Sequence, residues 1–195
     1  MTPKRISIAA GGVALVTLLV VGLVQLASSS PAPVEPSKLT LAQMRVRLAG
    51  SPAPLAALHA QANELLPGGS KALRARLAAL RGRPIVINKW ASWCGPCRAE
   101  LPILQQVSTE HGKQIAFVGV NARDKRPAAE QFAAQYPVPY PSYEDPGEKI
   151  ASSLKAPANF PVTVFLDANG KTVFIHQGGY RSAADLNADI EKYLS

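Results

Sequence analysis

The chain has 195 residues, enough for one domain with additional segments, and a hydrophobic fraction of 47% supplies a packed core and excludes disorder throughout. Its 21 Lys and Arg outnumber 13 Asp and Glu, giving a net charge of +8. The 2 cysteines leave no second pair for a separate structural disulfide.

Lys4 and Arg5 precede an uncharged run over 6–26, interrupted only by Ser7, Thr17 and Gln25. About twenty apolar residues cross a bilayer as a helix, and a secretory signal core is shorter, so residues 1–27 are expected to be an uncleaved membrane anchor. Cleavage near Ala27-Ser28-Ser29, releasing a secreted protein, is the alternative. No cysteine follows the run to carry a lipid, and the basic N-terminus would hold the rest of the chain outside the membrane. Residues 28–38, rich in Pro, Ser and Ala, read as an extended linker.

Residues 39–78 are expected to form a helical extension that covers the domain. A helix over 39–48 has Thr40 as a cap and ends at Gly50-Ser51-Pro52, and a second over 55–66 is stopped by Pro67-Gly68-Gly69. Ser70 opens a third, with Leu73, Leu77 and Leu80 on one face. The positive charge is concentrated in and around this stretch. Residues 31–90 hold nine basic side chains against Glu35 and Glu64, whereas ten basic and eleven acidic residues follow. Such an excess fits a solvated helix face or an anionic membrane surface; the basic stretch lacks the interleaved aromatics and motif of a nucleic-acid binder.

The remaining domain, 79–195, alternates strands and helices. Strands are expected at 85–88 and 115–120, with a helix over 97–111 carrying Pro102 inside it. A helix follows from Pro127 to Tyr136, then a short segment at Ser142-Tyr143 and a brief helix over 146–154. A hairpin pairs 162–166 with 171–176 through Asp167-Ala168-Asn169-Gly170, and Ser182 with Asp185 resembles a capping box before a last helix. This order predicts an α/β sandwich with a mixed sheet.

Cys94 and Cys97, separated by Gly95 and Pro96, stand where the first of these strands runs into its helix. A thiol at a helix N-terminus lies near unpaired N–H groups and the positive end of the dipole, which lower its pKa from about 8.5. That placement implies redox chemistry, with Cys94 at the exposed end as the nucleophile. A four-ligand zinc site would need further ligands, and His59, His111 and His176 lack ligand spacing, so no metal is expected.

The stretch Trp90-Ala91-Ser92-Trp93-Cys94-Gly95-Pro96-Cys97, the following Arg98-Ala99-Glu100-Leu101-Pro102, and Phe160-Pro161-Val162-Thr163-Val164-Phe165 together resemble the thioredoxin fold. The likeness is to membrane-anchored thiol-disulfide oxidoreductases of the TlpA, ResA and DsbE type. The resemblance covers about residues 79–193. It implies a cis bond before Pro161, placing that proline against the dithiol, with the Phe160 backbone free to pair with a substrate segment. It also implies that Cys94 attacks and Cys97 resolves, that Gly95 and Pro96 set the redox poise, and that Trp93 shields the site or supports docking. Protein dithiols or disulfides are the implied substrates, apocytochrome c among them, with a membrane redox partner and no cofactor. A thiol peroxidase of the same fold and a non-enzymatic metal-delivery or scaffold module are the alternatives. Three positions depart from the pattern and are candidate modulators of the site. Asn88 replaces the buried aspartate of cytoplasmic thioredoxin, so proton handling needs another group or water. Lys89 replaces an apolar aromatic residue and is expected to snorkel or to pair with Glu144 or Glu148. Arg123 and Asp124 follow the second strand and lie where they could tune Cys94.

Overall fold

In a computed structural model, residues 39–194 are described. The anchor and linker expected over 1–38 lie outside the described residues. Among those described, no helix is long and apolar enough to cross a membrane.

The first helix, α1 (Leu41–Leu48), opens as its sequence predicts: Thr40 accepts from the Gln43 backbone N–H, and the Gln43 side chain accepts from the Thr40 N–H. Such a cap is worth about 1 kcal/mol. Its buried Met44 and Leu48 turn inward, and the Gln105 side chain ties down the entering chain, accepting from Leu39 N–H while donating to the Leu39 and Pro137 carbonyls.

The second helix is shorter than expected. α2 spans Ala53–His59, after which Asn63 adopts a left-handed φ of 66° and bonds across to Ala133, Val138 and Tyr140. Those tertiary bonds draw Leu65–Leu66 out of the helical pattern into a short edge strand, β1. α3 (Gly69–Ala79) is capped by Gly68 at φ 99°, a conformation glycine adopts without steric cost, so Ser70 lies inside the helix rather than at its cap.

The remaining elements are β2 (Ile85–Trp90), α4 (Gly95–His111), β3 (Ala116–Ala122), α5 (Arg126–Gln135), β4 (Ser142–Asp145), α6 (Lys149–Ser153), β5 (Val162–Leu166), β6 (Thr172–Gln177) and α7 (Ala183–Leu194). Ser182 Oγ accepts from the Asp185 N–H, half of the expected box at the start of α7.

The strands form one mixed sheet in the order β1-β4-β3-β2-β5-β6. β1, β4, β3 and β2 run parallel, β5 is antiparallel to β2, and β6 is antiparallel to β5. This is the thioredoxin-like α/β architecture, with helices on both faces. Because side chains alternate along a strand, β2 sends Val86 and Trp90 into one core with Leu101, Leu104, Phe132 and Leu186. Ile85 and Ile87 enter the other, with Leu55, Leu58, Leu73 and Ile150. Each buried side chain of this size contributes about 1.5–3 kcal/mol. The same alternation decides the fate of β2's two buried polar residues: Asn88 faces α4 and Lys89 faces the opposite layer.

A candidate dithiol active site

β2 ends at Trp90, and the chain turns through Ala91–Trp93 into α4, whose N-cap is Cys94. Pro96 suits the first turn, where its missing N–H would have had no helical partner. Cys94 and Cys97 form a disulfide, with an S–S distance of 2.08 Å, and the Cys97 N–H donates to Cys94 Sγ at 3.1 Å. The backbone thus aims an N–H at the outer sulfur, where thiolate charge would develop on reduction.

Cys94 is less exposed than the sequence suggests. It is 4% accessible, Cys97 is fully buried, and the exposed surface belongs to Gly95, Pro96 and Trp93, the last 55% accessible. The Trp93 indole is held as a flap: its Nε1 donates to the Arg123 carbonyl at 2.9 Å, and its ring meets the edge of Phe160 with centroids 4.9 Å apart. The loop beneath it is fastened by Asp124, which accepts from Ser92 N–H at 2.6 Å and Ser92 Oγ at 2.8 Å. Burial pushes the Asp124 carboxyl up, but bonds from Asn121, Ser92 and the Lys125 N–H outweigh it and hold the group below its ordinary value. Asp124 therefore remains a carboxylate that anchors the loop.

The Phe160–Pro161 bond is cis, as the resemblance implied. Antiparallel register pairs Val162 with Lys89, so Pro161 stands level with the end of β2, where the dithiol loop begins. Pro161 is buried, and its carbonyl accepts from Gly178 N–H at 3.0 Å. Gly179 closes the gap between the pieces. A methyl group placed there would lie 3.4 Å from the Pro96 carbonyl, 3.7 Å from Glu100 Oε2 and 3.7 Å from Pro161 Cγ.

Glu100 is a candidate site residue that the sequence reading missed. It is fully buried, one turn beyond Cys97 on the same face of α4. Its Oε1 accepts from Asn88 Nδ2 at 2.8 Å and its Oε2 from the Tyr180 N–H at 3.2 Å. Burial pushes its pKa up from 4.5 to about 7, only partly offset by those two bonds. The signal was present: Cys97, Glu100, Leu101 and Leu104 recur at helical spacing, which puts a carboxyl on an otherwise apolar stripe. Asn88 also donates to Thr163 Oγ1 at 3.3 Å, whereas its own Oδ1 meets no donor among the described residues.

Lys89 pairs with Glu148 at 3.2 Å and not with Glu144, which bonds Arg126 at 3.3 Å. It does not snorkel, being only 2% exposed. Arg123, at φ 52°, reaches Glu148 at 3.8 Å. Among the described residues there is no group of three or more His, Cys, Asp or Glu that could hold a metal ion.

Comparison with known proteins agrees with this geometry. The redoxin family profile matches residues 48–190. The thiol-disulfide oxidoreductase ResA of Oceanobacillus iheyensis is 31% identical over 104 residues, covering 53% of this chain and 54% of that protein. The thiol:disulfide interchange protein DsbE of Pseudomonas fluorescens is 34% identical over 94 residues, 48% of this chain and 51% of its own. The chain thus spans about half the length of these relatives. Among solved structures, a DsbF homologue from Corynebacterium diphtheriae superposes with a TM-score of 0.52 at 32% identity, over 60% of this chain and 75% of that one. The chain belongs to the redoxin family and is a TlpA/ResA/DsbE-like member of the thioredoxin superfamily.

Proposed function

We propose that this protein is a thiol-disulfide oxidoreductase that exchanges disulfides with protein thiols. The observation that carries the reading is the Cys94–Cys97 disulfide at the N-terminus of α4, with an N–H on its outer sulfur and the Phe160–Pro161 turn beside it. In the reducing direction the Cys94 thiolate attacks a substrate disulfide. A Cys94–substrate bond forms, the substrate S–S bond breaks, and the departing sulfur takes a proton. Cys97 then loses its proton and attacks Cys94 Sγ, closing the internal disulfide and releasing the second substrate thiol. Two electrons pass from the protein dithiol to the substrate, and oxidation of a substrate dithiol runs the same steps backward.

Glu100 takes the role of proton acceptor for Cys97, filling the place left by Asn88. Its position one turn along α4 and its pKa of about 7 match a group that trades protons near neutrality. Asn88 serves both protonation states: its amide N–H holds the carboxylate, and rotation of the amide presents the free Oδ1 to the carboxylic acid. Trp93, the ring and backbone of Phe160, and Pro161 form the docking surface for an extended substrate segment. Gly95 and Pro96 set the redox poise.

Residues 6–26, following Lys4 and Arg5, tether the domain outside the cytoplasmic membrane, where a membrane redox partner restores the dithiol or disulfide. Retention of the full chain in the membrane pellet after carbonate extraction is the expected result, and release would contradict the tether. The client that the resemblance implies is the apocytochrome c dithiol, tested by exchange with a peptide carrying that cysteine pair. Reduction potential decides direction: a value near about −270 mV makes the protein a reductant and one near about −120 mV an oxidant. Cys94→Ser is expected to abolish disulfide exchange, and activity surviving that change would refute the function.

A further inference from the structure

Lys89 is a lysine buried in a strand, where an apolar side chain would cost less. Replacing buried ion pairs by apolar residues of similar volume is often neutral or stabilising, so the ammonium is not explained by stability alone. Its surroundings supply another reason. Nζ donates to Glu148 Oε1 at 3.2 Å and to the Pro157 carbonyl, and it lies 4.1 Å from the centroid of the Phe160 ring. Glu148 Oε2 pairs with Arg123 Nε at 3.8 Å. The Arg123 guanidinium lies 6.0 Å from the Trp93 ring centroid, and the Arg123 carbonyl accepts from Trp93 Nε1. Trp93 in turn packs on Phe160, which returns the path to Lys89.

These contacts form a closed circuit of five residues: Lys89, Glu148, Arg123, Trp93 and Phe160. Two of its members, Arg123 and Glu148, hold left-handed backbone conformations with φ of 52°, which non-glycine residues keep only where their surroundings over-determine them. Glu148 is further fixed because its N–H donates to the Asp145 carbonyl, while the Asp145 carboxylate accepts from the Ile150 and Ala151 N–H groups at the start of α6. The circuit therefore joins a rigid strand and a rigid helix end to the exposed aromatic pair beside the dithiol.

We propose that Lys89 is a positioning residue that holds Trp93, Phe160 and the loop from Pro157 to Pro161 as one preformed platform for docking protein substrates, without acting on the sulfurs themselves. The proposal rests on the docking role given to Trp93 and Phe160 above. Two substrates separate docking from sulfur chemistry. Dithiothreitol reaches the disulfide without the platform, whereas insulin must lay a chain segment across it.

In the full chain, Lys89→Met keeps length and apolar packing and leaves Glu148 paired with Arg123. The expected result is a fall of about tenfold in kcat/KM for insulin, carried by KM, with the rate of disulfide reduction by dithiothreitol within twofold of the parent. Glu148→Gln breaks the adjacent corner of the circuit and should show the same selective loss, which keeps the test open if Lys89→Met fails to fold. The double variant should be no worse than either single one, because both changes open the same circuit. Unchanged kinetics with insulin, or equal losses with insulin and dithiothreitol, would overturn the proposal. If Cys94→Ser retains exchange with both substrates, the proposed function itself fails. If Cys94→Ser abolishes exchange and Lys89→Met alters neither rate, only the role of Lys89 is lost.

Discussion

Asn88 and Lys89 are consecutive on β2, yet they build opposite kinds of polar region behind the same disulfide. On the α4 side, Asn88 supports a buried carboxyl that has hydrogen bonds but no salt-bridge partner among the described residues, so burial dominates and Glu100 titrates near neutrality. On the α6 side, a buried ammonium meets the carboxylate of Glu148 and a backbone carbonyl, and the result is a fixed strut under the Trp93 and Phe160 rings. A buried charge without a counter-ion is pushed toward its neutral form, which suits the proton exchange proposed for Glu100, and one with a counter-ion is held charged in place, which suits the tie proposed for Lys89.

Substitutions on each side should break this division in different ways, and the largest effect belongs to the carboxyl. Glu100→Gln removes the proton acceptor and is expected to slow disulfide exchange by about a hundredfold, with loss of the limb of the pH–rate profile near pH 7. An unaltered pH profile would show that Cys97 uses another acceptor. The same group leaves a stability signature of about 3 kcal/mol in the oxidised protein. Because its folded pKa lies above its ordinary 4.5, its contribution is fully present below pH 4.5 and is lost as pH rises through about 7. Urea denaturation between pH 4 and 9 should show that decline in the parent, with Glu100→Gln lacking this component. Asn88→Asp sets a second carboxyl against Glu100, and mutual repulsion should carry the pH–rate limb upward by about one unit. The smallest expected change sharpens the contrast: Lys89→Met should leave that limb where it is, because its circuit does not include Glu100.

Much of this was legible in the chain. The dithiol and the strand–helix order depend on local residue types and short spacings, and the cis turn before Val162 followed from the family resemblance; the structure realises them. The long second helix was misread because the bonds that end it run from Asn63 to Ala133, Val138 and Tyr140, far along the chain. Cys94 was expected at the surface, but the folded chain leaves it 4% accessible, while the neighbouring Trp93 is fixed by Arg123 and Phe160 on other elements. Glu100 had a helical-spacing signal, yet whether a carboxyl on an apolar stripe meets a cation or only hydrogen-bond donors is decided by the loop that brings Tyr180 over it. For Lys89, sequence narrowed the partner to two glutamates. The strand and helix geometry that selects Glu148 is a property of the assembled sheet.

The most direct test of the account is to capture the covalent intermediate. The Cys97→Ser protein, reduced and mixed with a disulfide-bonded protein such as insulin, should accumulate a mixed disulfide that mass spectrometry maps to Cys94, while reduced Cys94→Ser accumulates none. An adduct on Cys97 in the Cys94→Ser protein, or no adduct in either, would contradict the assignment of Cys94 as nucleophile and Cys97 as the thiol that resolves it.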